Sequence, residues 1–260
     1  KIPEGSRIAK GKAVVNLVNL MPDEKIRSII PTTDFSNEKG LVFFTQNGVV
    51  KRTNLSEFSN IRSNGVRAIV LDEDDALITA QIACPDTKYL FIVTKFAQCI
   101  KFEIEKTREQ GRSTRGVRGI KFKKEGDEVV DANIIANDEQ EILIVAEKGI
   151  GKRTVAGEYR LTNRGGSGVI AMKMTAKTGT NIVGCLMVEE SMDLMALTKA
   201  GKMIRVDMQT ISKSSRNTSG VYIVKGDEVA SISRCPKKEE DPEDIDDDGE
   251  ETGQTTLELE

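Results

Sequence analysis

The sequence contains no histidine and no tryptophan, and only 4% of its residues are aromatic. Without histidine the chain lacks the usual general base, the commonest metal ligand and any Ser-His or Cys-His pair. The shortage of aromatic rings argues against a stacking surface for single-stranded nucleic acid. The apolar runs are far too short to cross a bilayer, so we expect a soluble chain with no membrane partner. These absences disfavour catalysis and metal binding and leave a binding role.

Cysteine is scarce as well, and its four positions do not suggest a metal or redox site. No two of the cysteines form a CxxC pair, and most lie in segments with strand-like composition. We therefore expect buried free thiols in a reducing cytosol, which places the chain in the cytoplasm. The four residues are Cys84, Cys99, Cys185 and Cys235.

What the sequence does have is a repeat of about 52 residues, marked by a glycine that returns at spacings of 54, 51, 52 and 52 residues. Such a period is typical of an architecture in which each repeat is one supersecondary unit. A feature that returns in every copy belongs to the fold or to a surface shared by all copies. The phrases are Gly11-Lys12, Gly65-Val66, Gly116-Val117, Gly168-Val169 and Gly220-Val221.

Each copy after the first contains a hairpin signal before its glycine. Asn47-Gly48 is the strongest, because both central residues of the matching turn need positive φ. The third copy has Phe96-Ala97 at this place, and there we expect a different turn. In the second copy we predict strands at 41–45, 49–53, 66–71 and 77–82. No long segment has a helical period, so we predict an all-β, propeller-like disc of four-stranded blades.

The repeat also predicts the domain organisation. One domain covers residues 1–235, with a partial blade at 1–35 and blades at about 36–85, 86–138, 139–190 and 191–235. The first unit lacks its first hairpin, so we expect the chain to be a fragment. The tail at 236–260 has too little apolar surface to offset its ordering entropy, and we expect it to be disordered.

The formal net charge of −3 hides a strong asymmetry. The tail at 236–260 holds 12 acidic and 2 basic residues, which leaves 29 acidic and 36 basic residues in 1–235. A body of net charge +7 with an acidic tail is typical of a polyanion-binding domain with a tethered competitor. Deleting the tail from about Lys237 is therefore expected to strengthen binding of a polyanion.

Arginine recurs four residues before the repeat glycine in four of the five copies, as Arg7, Arg112, Arg164 and Arg216. Loops of Gly, Ser, Thr and Asn surround these arginines, and such loops let the backbone approach a phosphate closely. Because equivalent loops lie at equivalent radii, the arginines would form a belt on which a duplex could bend. The alternative is that each arginine pairs with a carboxylate of the next unit and only locks blade to blade.

Two further function classes stay open from the residues alone. A protein-interaction propeller similar to WD40 or kelch domains would have apolar or mixed loops and no surplus of bases at equivalent positions. A propeller enzyme would need acids or a metal cluster at its central channel, and the carboxylates here are scattered.

Several segments resemble the C-terminal domain of the bacterial DNA gyrase A subunit over residues 1 to about 235. They are Pro3 to Arg7 followed by Gly11 to Leu17, then Thr114 to Ile120, and Gly151 to Thr154 leading to Glu158-Tyr159. The resemblance implies a β-pinwheel of up to six blades that exchange strands, with a basic rim that wraps double-stranded DNA in a fixed hand. The related domain of topoisomerase IV stays an alternative, because the family's gyrase box does not occur here.

The resemblance also implies partners and a role. The domain would be non-catalytic and would enable ATP-dependent negative supercoiling by the holoenzyme, with ATP and magnesium used elsewhere and no cofactor of its own. Its partners would be duplex DNA, the rest of the gyrase A chain, and the gyrase B chain in an A2B2 heterotetramer near the nucleoid, while the isolated domain would be monomeric. The predicted DNA contacts are Arg7, Lys12, Arg52, Arg62, Arg67, Lys101, Arg112, Arg115, Arg118, Lys152, Arg153, Arg164, Arg205 and Arg216.

Overall fold

The computed structural model describes residues 13, 16–18, 20, 24–60 and 65–237, together with the backbone of 255–257. In these residues the chain is all-β, as predicted, and its only helical elements are 3-10 turns. Within the same residues, no helix is long and apolar enough to cross a membrane. Both the partial first blade and the acidic tail fall largely outside the described residues.

Sixteen strands are described, and they form four antiparallel sheets of four strands each. The sheet orders are β3-β1-β2-β6, β10-β5-β4-β7, β11-β8-β9-β14 and β15-β12-β13-β16. The strands are β1 Gly40–Thr45, β2 Val49–Asn54, β3 Leu77–Ala83, β4 Tyr89–Thr94, β5 Gln98–Glu103, β6 Val117–Arg118, β7 Val129–Ile135, β8 Glu141–Ala146, β9 Ile150–Val155, β10 Val169–Ile170, β11 Ile182–Met187, β12 Met192–Thr198, β13 Met203–Asp207, β14 Val221–Tyr222, β15 Val229–Pro236 and β16 Thr255–Leu257.

The central hairpin of every sheet lies where the turn signal places it. In the first sheet, β1 and β2 are joined by a turn in which Gly48 has a φ of 81° and donates its N–H to the Thr45 carbonyl at 3.0 Å. Asn47 does not have a positive φ, so the expected turn with two left-handed residues is wrong, although its place in the sequence is right. The expectation of a different turn at Phe96-Ala97 is wrong. Ala97 adopts a φ of 61° and donates to the Thr94 carbonyl at 3.1 Å, so the hairpin geometry imposes the same turn on a residue that disfavours it.

The predicted strand at 66–71 is also wrong, because those residues form no strand. In the first three sheets the fourth strand comes instead from a later unit, and in the fourth sheet it is β16, which lies within the tail at 236–260. Thus β6 pairs with β2, β10 with β5 and β14 with β9, each across about 70 positions of sequence. The units therefore exchange strands with their neighbours, as the family resemblance implies.

This exchange explains the repeat glycine. Gly116 lies directly before β6, has a φ of 99°, and a Cβ at its position would lie 2.7 Å from the Val50 carbonyl oxygen of β2. In the next unit a Cβ on Gly168 would overlap the Cys99 carbonyl of β5. Only glycine permits both the left-handed backbone and the close crossing of two strands. The period in the sequence is therefore the period of these crossings.

The sheets stack as blades around a central cavity of about 850 Å³. The strands β3, β7, β11 and β15 supply most of the cavity lining. Between adjacent sheets lie apolar cores, one of which contains Phe44 of the first sheet and Ile92 of the second, both about 1% exposed. Each sheet therefore buries its apolar face against a neighbour, and the exchanged strands lie at the opposite, outer edge of the disc.

Candidate nucleic-acid interface

The outer edge of the disc is built from the connections that carry the repeat glycines. We call residues 65–71, 111–124, 162–174 and 212–225 the perimeter segments. Backbone hydrogen bonds join each one to the next: Val70 donates to Thr114 at 3.0 Å, Lys121 to Gly166 at 2.9 Å, and Lys173 to Thr218 at 3.0 Å. The perimeter is therefore one continuous run of backbone around this part of the disc.

Charge in the perimeter segments has one sign. Segments 111–124, 162–174 and 212–225 contain six, two and three basic residues respectively, and no acidic residue. The segment 65–71 adds Arg67 and also has no acid. Carboxylates do reach this edge at one end, where Asp72 and Glu57 pair with Arg115 and Arg112, but bases predominate along the segments and make the edge a cationic surface.

The arginines four residues before the repeat glycine lie between successive blades. Arg164 donates from Nη1 to the Arg118 carbonyl at 2.5 Å and from Nε to the Lys106 carbonyl at 3.0 Å. Arg216 repeats the first contact one unit later, donating to the Ile170 carbonyl at 2.6 Å. These partners are neutral carbonyls, so the guanidinium groups lock adjacent units and keep their positive charge. These two arginines therefore lock adjacent units, as the alternative interpretation expects, but through carbonyl oxygens and not through carboxylates.

Three more predicted contacts are exposed on the perimeter. Arg67 and Arg118 each lie two residues after a repeat glycine and reach solvent. Arg115 is 70% exposed and forms an ion pair with Asp72 at 2.5 Å. An exposed ion pair of this kind stabilises by at most about 1 kcal/mol and exchanges readily for a phosphate. Arg112 is half-buried, with its Nε 3.8 Å from Glu57.

Five other predicted contacts do not lie on the perimeter, and this part of the prediction needs correction. They occupy the second strand of each hairpin, where the side chain is half-buried or buried and contacts the neighbouring unit or, for Arg205, other strands of its own sheet. Arg52 pairs with Glu109 at 3.0 Å, and Arg205 pairs with Asp193 at 2.7 Å. The five residues are Arg52, Lys101, Lys152, Arg153 and Arg205.

The three most buried of these bases donate hydrogen bonds to carbonyl and carboxylate oxygens of neighbouring segments. Lys101, 3% exposed, donates to Asp138 and to the Ala156 carbonyl, both at 2.7 Å. Arg153 donates to the carbonyls of Ile211 and Gln209 at 2.6 and 2.8 Å. Cations enclosed in this way stabilise blade contacts and cannot reach a ligand. The remaining predicted contacts, Arg7, Lys12 and Arg62, lie outside the described residues.

Lys152 supports the perimeter from inside. Its fully buried Nζ donates to the carbonyls of Ser215 and Arg216 at 2.7 and 2.5 Å, and burial lowers its pKa to about 8. A neutral amine still carries two protons, so both bonds persist above that pH. Lys51 makes the equivalent contact with the Arg112 carbonyl at 2.7 Å. Two buried lysines therefore fix the backbone on which two perimeter arginines lie.

Sequence reasoning missed a second set of exposed bases, five residues after the repeat glycine. Lys121, Lys173 and Lys225 occupy this place in three successive units, and all are exposed. The same period that marks the arginines would have found them, had the repeat been followed beyond the glycine phrase.

A catalytic or metal site finds no support in residues 24–60 and 65–237. No group of three or more His, Cys, Asp or Glu side chains converges there. The cysteines are free thiols; Cys99 and Cys185 are buried as expected, whereas Cys84 is exposed. Burial raises the pKa of both buried thiols, so they remain protonated and unreactive.

Comparison with known proteins agrees with this geometry. The model of the family described as DNA gyrase C-terminal domain, beta-propeller, matches residues 1–33, 41–84, 88–136, 140–182 and 193–236. The DNA gyrase A chain of Campylobacter fetus is 58% identical over 279 residues, covering 94% of this chain and 32% of that protein. The Helicobacter pylori protein of strain 26695 is 53% identical over 247 residues, covering 94% and 30%. The chain thus spans about a third of the length of these relatives.

Solved structures share the fold. A DNA gyrase A C-terminal domain superposes with a TM-score of 0.74 at 26% identity, covering 87% of this chain and 75% of that one. The C-terminal domain of DNA topoisomerase IV superposes with a TM-score of 0.79 at 23% identity, covering 87% and 71%. The second similarity concerns the fold alone, whereas the sequence identities favour gyrase.

Proposed function

The chain belongs to the DNA gyrase C-terminal domain family, and from this premise we propose that it binds, bends and wraps double-stranded DNA along its perimeter segments. The observation that carries the proposal is the continuous run of perimeter segments, which contain bases and no acids. As part of a gyrase A chain, the domain would act with the rest of that polypeptide and with the gyrase B chain. It would present DNA for ATP-dependent strand passage in the bacterial cytoplasm, next to the nucleoid.

Phosphate contact is the interaction that this edge can provide. Guanidinium and ammonium groups bind phosphate oxygens without reading bases, so sequence preference should be weak. Bending 20–30 base pairs by 40–90° costs about 1–6 kcal/mol, and many phosphate contacts must offset that cost. Of the twelve bases in the perimeter segments, nine belong to the predicted contacts or to the lysines five residues after a repeat glycine: Arg67, Arg112, Arg115, Arg118, Lys121, Arg164, Lys173, Arg216 and Lys225.

A salt titration of duplex binding tests the proposal. If six to nine phosphates are neutralised, log K should fall against log salt with a slope of about −5 to −8. The matched variant Arg67→Gln, Arg118→Gln, Lys121→Gln changes three exposed side chains and should reduce that slope by about 3. A protein-interaction propeller would bind duplex weakly at every salt concentration, and that result would reject the proposal.

A second assay separates wrapping from binding. Relaxing closed-circular DNA in the presence of the chain and resolving the products measures any linking-number change that the bound protein constrains. A wrap of fixed hand gives a change of one sign, which the triple variant should lose. Binding without a linking-number change would support contact and bending while rejecting the wrap.

A further inference from the structure

The exchanged strands place three large apolar side chains in solvent, Ile170, Val221 and Tyr222, and the first and last of these occupy equivalent positions. Ile170 of β10 is 50% exposed and Tyr222 of β14 is 51% exposed. Both lie two residues after a repeat glycine, on the outer edge strand of their sheets. Exposed apolar residues on an edge strand favour aggregation unless a partner covers them. Their position therefore calls for a functional explanation.

Strand register shows that these two residues replace a base. Arg118 of β6 lies opposite Val49, Ile170 lies opposite Gln98, and Tyr222 lies opposite Ile150. Each opposite residue follows the hairpin turn directly, so the three side chains occupy one position in three successive blades. A ligand that follows the perimeter past Arg118 would meet Ile170 and then Tyr222.

The surroundings of the pair identify that ligand as a polyanion. The Arg216 guanidinium donates to the Ile170 carbonyl at 2.6 Å, so a perimeter cation lies directly beside this residue. Segments 162–174 and 212–225 hold five bases and no acid. An apolar protein surface would gain little from the surrounding positive charges. A DNA duplex, in contrast, offers phosphates to the arginines and lysines, and the apolar edges of its sugars and nucleobases to the side chains between them.

Resting on the proposed function, we propose that Ile170 and Tyr222 are apolar contacts to the minor groove of bound DNA, and that they favour bending at these two blades. Apolar side chains pressed into the minor groove widen it and partly unstack a base step, which bends the duplex away from the protein side chain. Such contacts release no counterions. Their contribution to affinity is therefore independent of salt, unlike that of the bases.

The test compares Ile170→Ser, Tyr222→Ser and the double variant with Ile29→Ser in the 260-residue chain. Ile29 is 67% exposed but lines the central cavity, so it controls for the loss of exposed apolar surface. Affinity for a labelled duplex is measured by anisotropy across a series of salt concentrations, and the bend by energy transfer between dyes at the duplex ends. Thermal unfolding confirms that each variant is folded.

We expect each perimeter variant to weaken binding about three- to tenfold at every salt concentration, with an unchanged slope and a smaller bend. Tyr222→Phe should bind as the unaltered chain does, because the ring makes the contact. Unchanged affinity and bend in the double variant would overturn this inference while leaving the proposed function intact. A reduced salt slope would also overturn it, and absence of duplex binding by the unaltered chain would overturn both.

Discussion

Replacing Arg153 by alanine should lower stability without changing how binding responds to salt. The Arg153 side chain is 8% exposed and donates to two carbonyls and to the Gln209 amide oxygen, with Glu141 at 3.3 Å. Removing the side chain leaves these buried acceptors without a donor, and breaking a buried charge pair in this way lowers the free energy of unfolding by about 3–5 kcal/mol. Out of a total of about 5–15 kcal/mol, such a loss leaves a folded but weakened domain.

Urea unfolding followed by circular dichroism measures the loss, and the same samples give the salt slope of duplex binding. Arg153→Lys keeps the charge without the fork of donors and should lie between alanine and the unaltered chain. The matched perimeter variant Arg118→Ala should do the opposite, keeping stability and reducing the slope by about 0.9. If Arg153→Ala retained full stability or reduced the slope as Arg118→Ala does, the assignment of this base to the interior would be refuted.

Three further predictions concern two glycines, a buried carboxyl and the tail. Gly201→Ala should lower the free energy of unfolding by about 1–2 kcal/mol, because alanine there would only have to adopt a positive φ. Gly168→Ala should lower it by roughly 3 kcal/mol or more, because the new Cβ would also overlap a β5 carbonyl. Equal unfolding midpoints of the two variants in urea would contradict this. Burial raises the pKa of Asp131 to about 6, so the folded state retains a proton that the unfolded state releases near pH 4. The free energy of unfolding relative to Asp131→Asn should therefore fall by about 2 kcal/mol between pH 4 and pH 7, and a flat difference would show that the carboxyl titrates normally. Deleting residues 238–260 should raise duplex affinity several-fold at low salt, because the acidic tail competes with DNA phosphates for the bases. Replacing the acidic residues of 239–251 by amides should have the same effect. Equal affinity in all three chains would show that the tail does not compete with DNA.

The hairpins could be predicted from sequence because their signals are local. Asn47-Gly48 sets both the turn and the register of its strands, and alternating apolar residues set the buried face. Even Ala97 keeps the turn, since the flanking strands dominate over the preference of one residue. The exchange could not be derived from a local pattern, because a two-residue strand such as Val117–Arg118 is stable only against its distant partner.

The candidate contacts were partly predicted for a related reason. A repeated base in a sequence has the same appearance whether its side chain points outward, as for Arg118, or between blades, as for Lys101. The residue type at the same place in other copies did not distinguish them. The inward place of Lys51 and Lys152 is held by Ile100 and Ile204 in the alternate copies, but the exposed place of Arg118 is likewise held by an isoleucine, Ile170, in the next copy. Charge counts alone could not show which way each side chain points.

The crossing of each short outer strand onto the preceding hairpin has a consequence for how the chain folds. Cys99 and Val169 are 70 positions apart, and Gly151 and Val221 are also 70 apart. In the first three sheets, a hairpin cannot complete its sheet until the outer strand, which lies in a later repeat, has been synthesised and has returned to it. Loop closure over such distances slows the search for the native topology. The disc should therefore assemble slowly and cooperatively, with each newly made unit adding the last strand to the sheet of the unit before it.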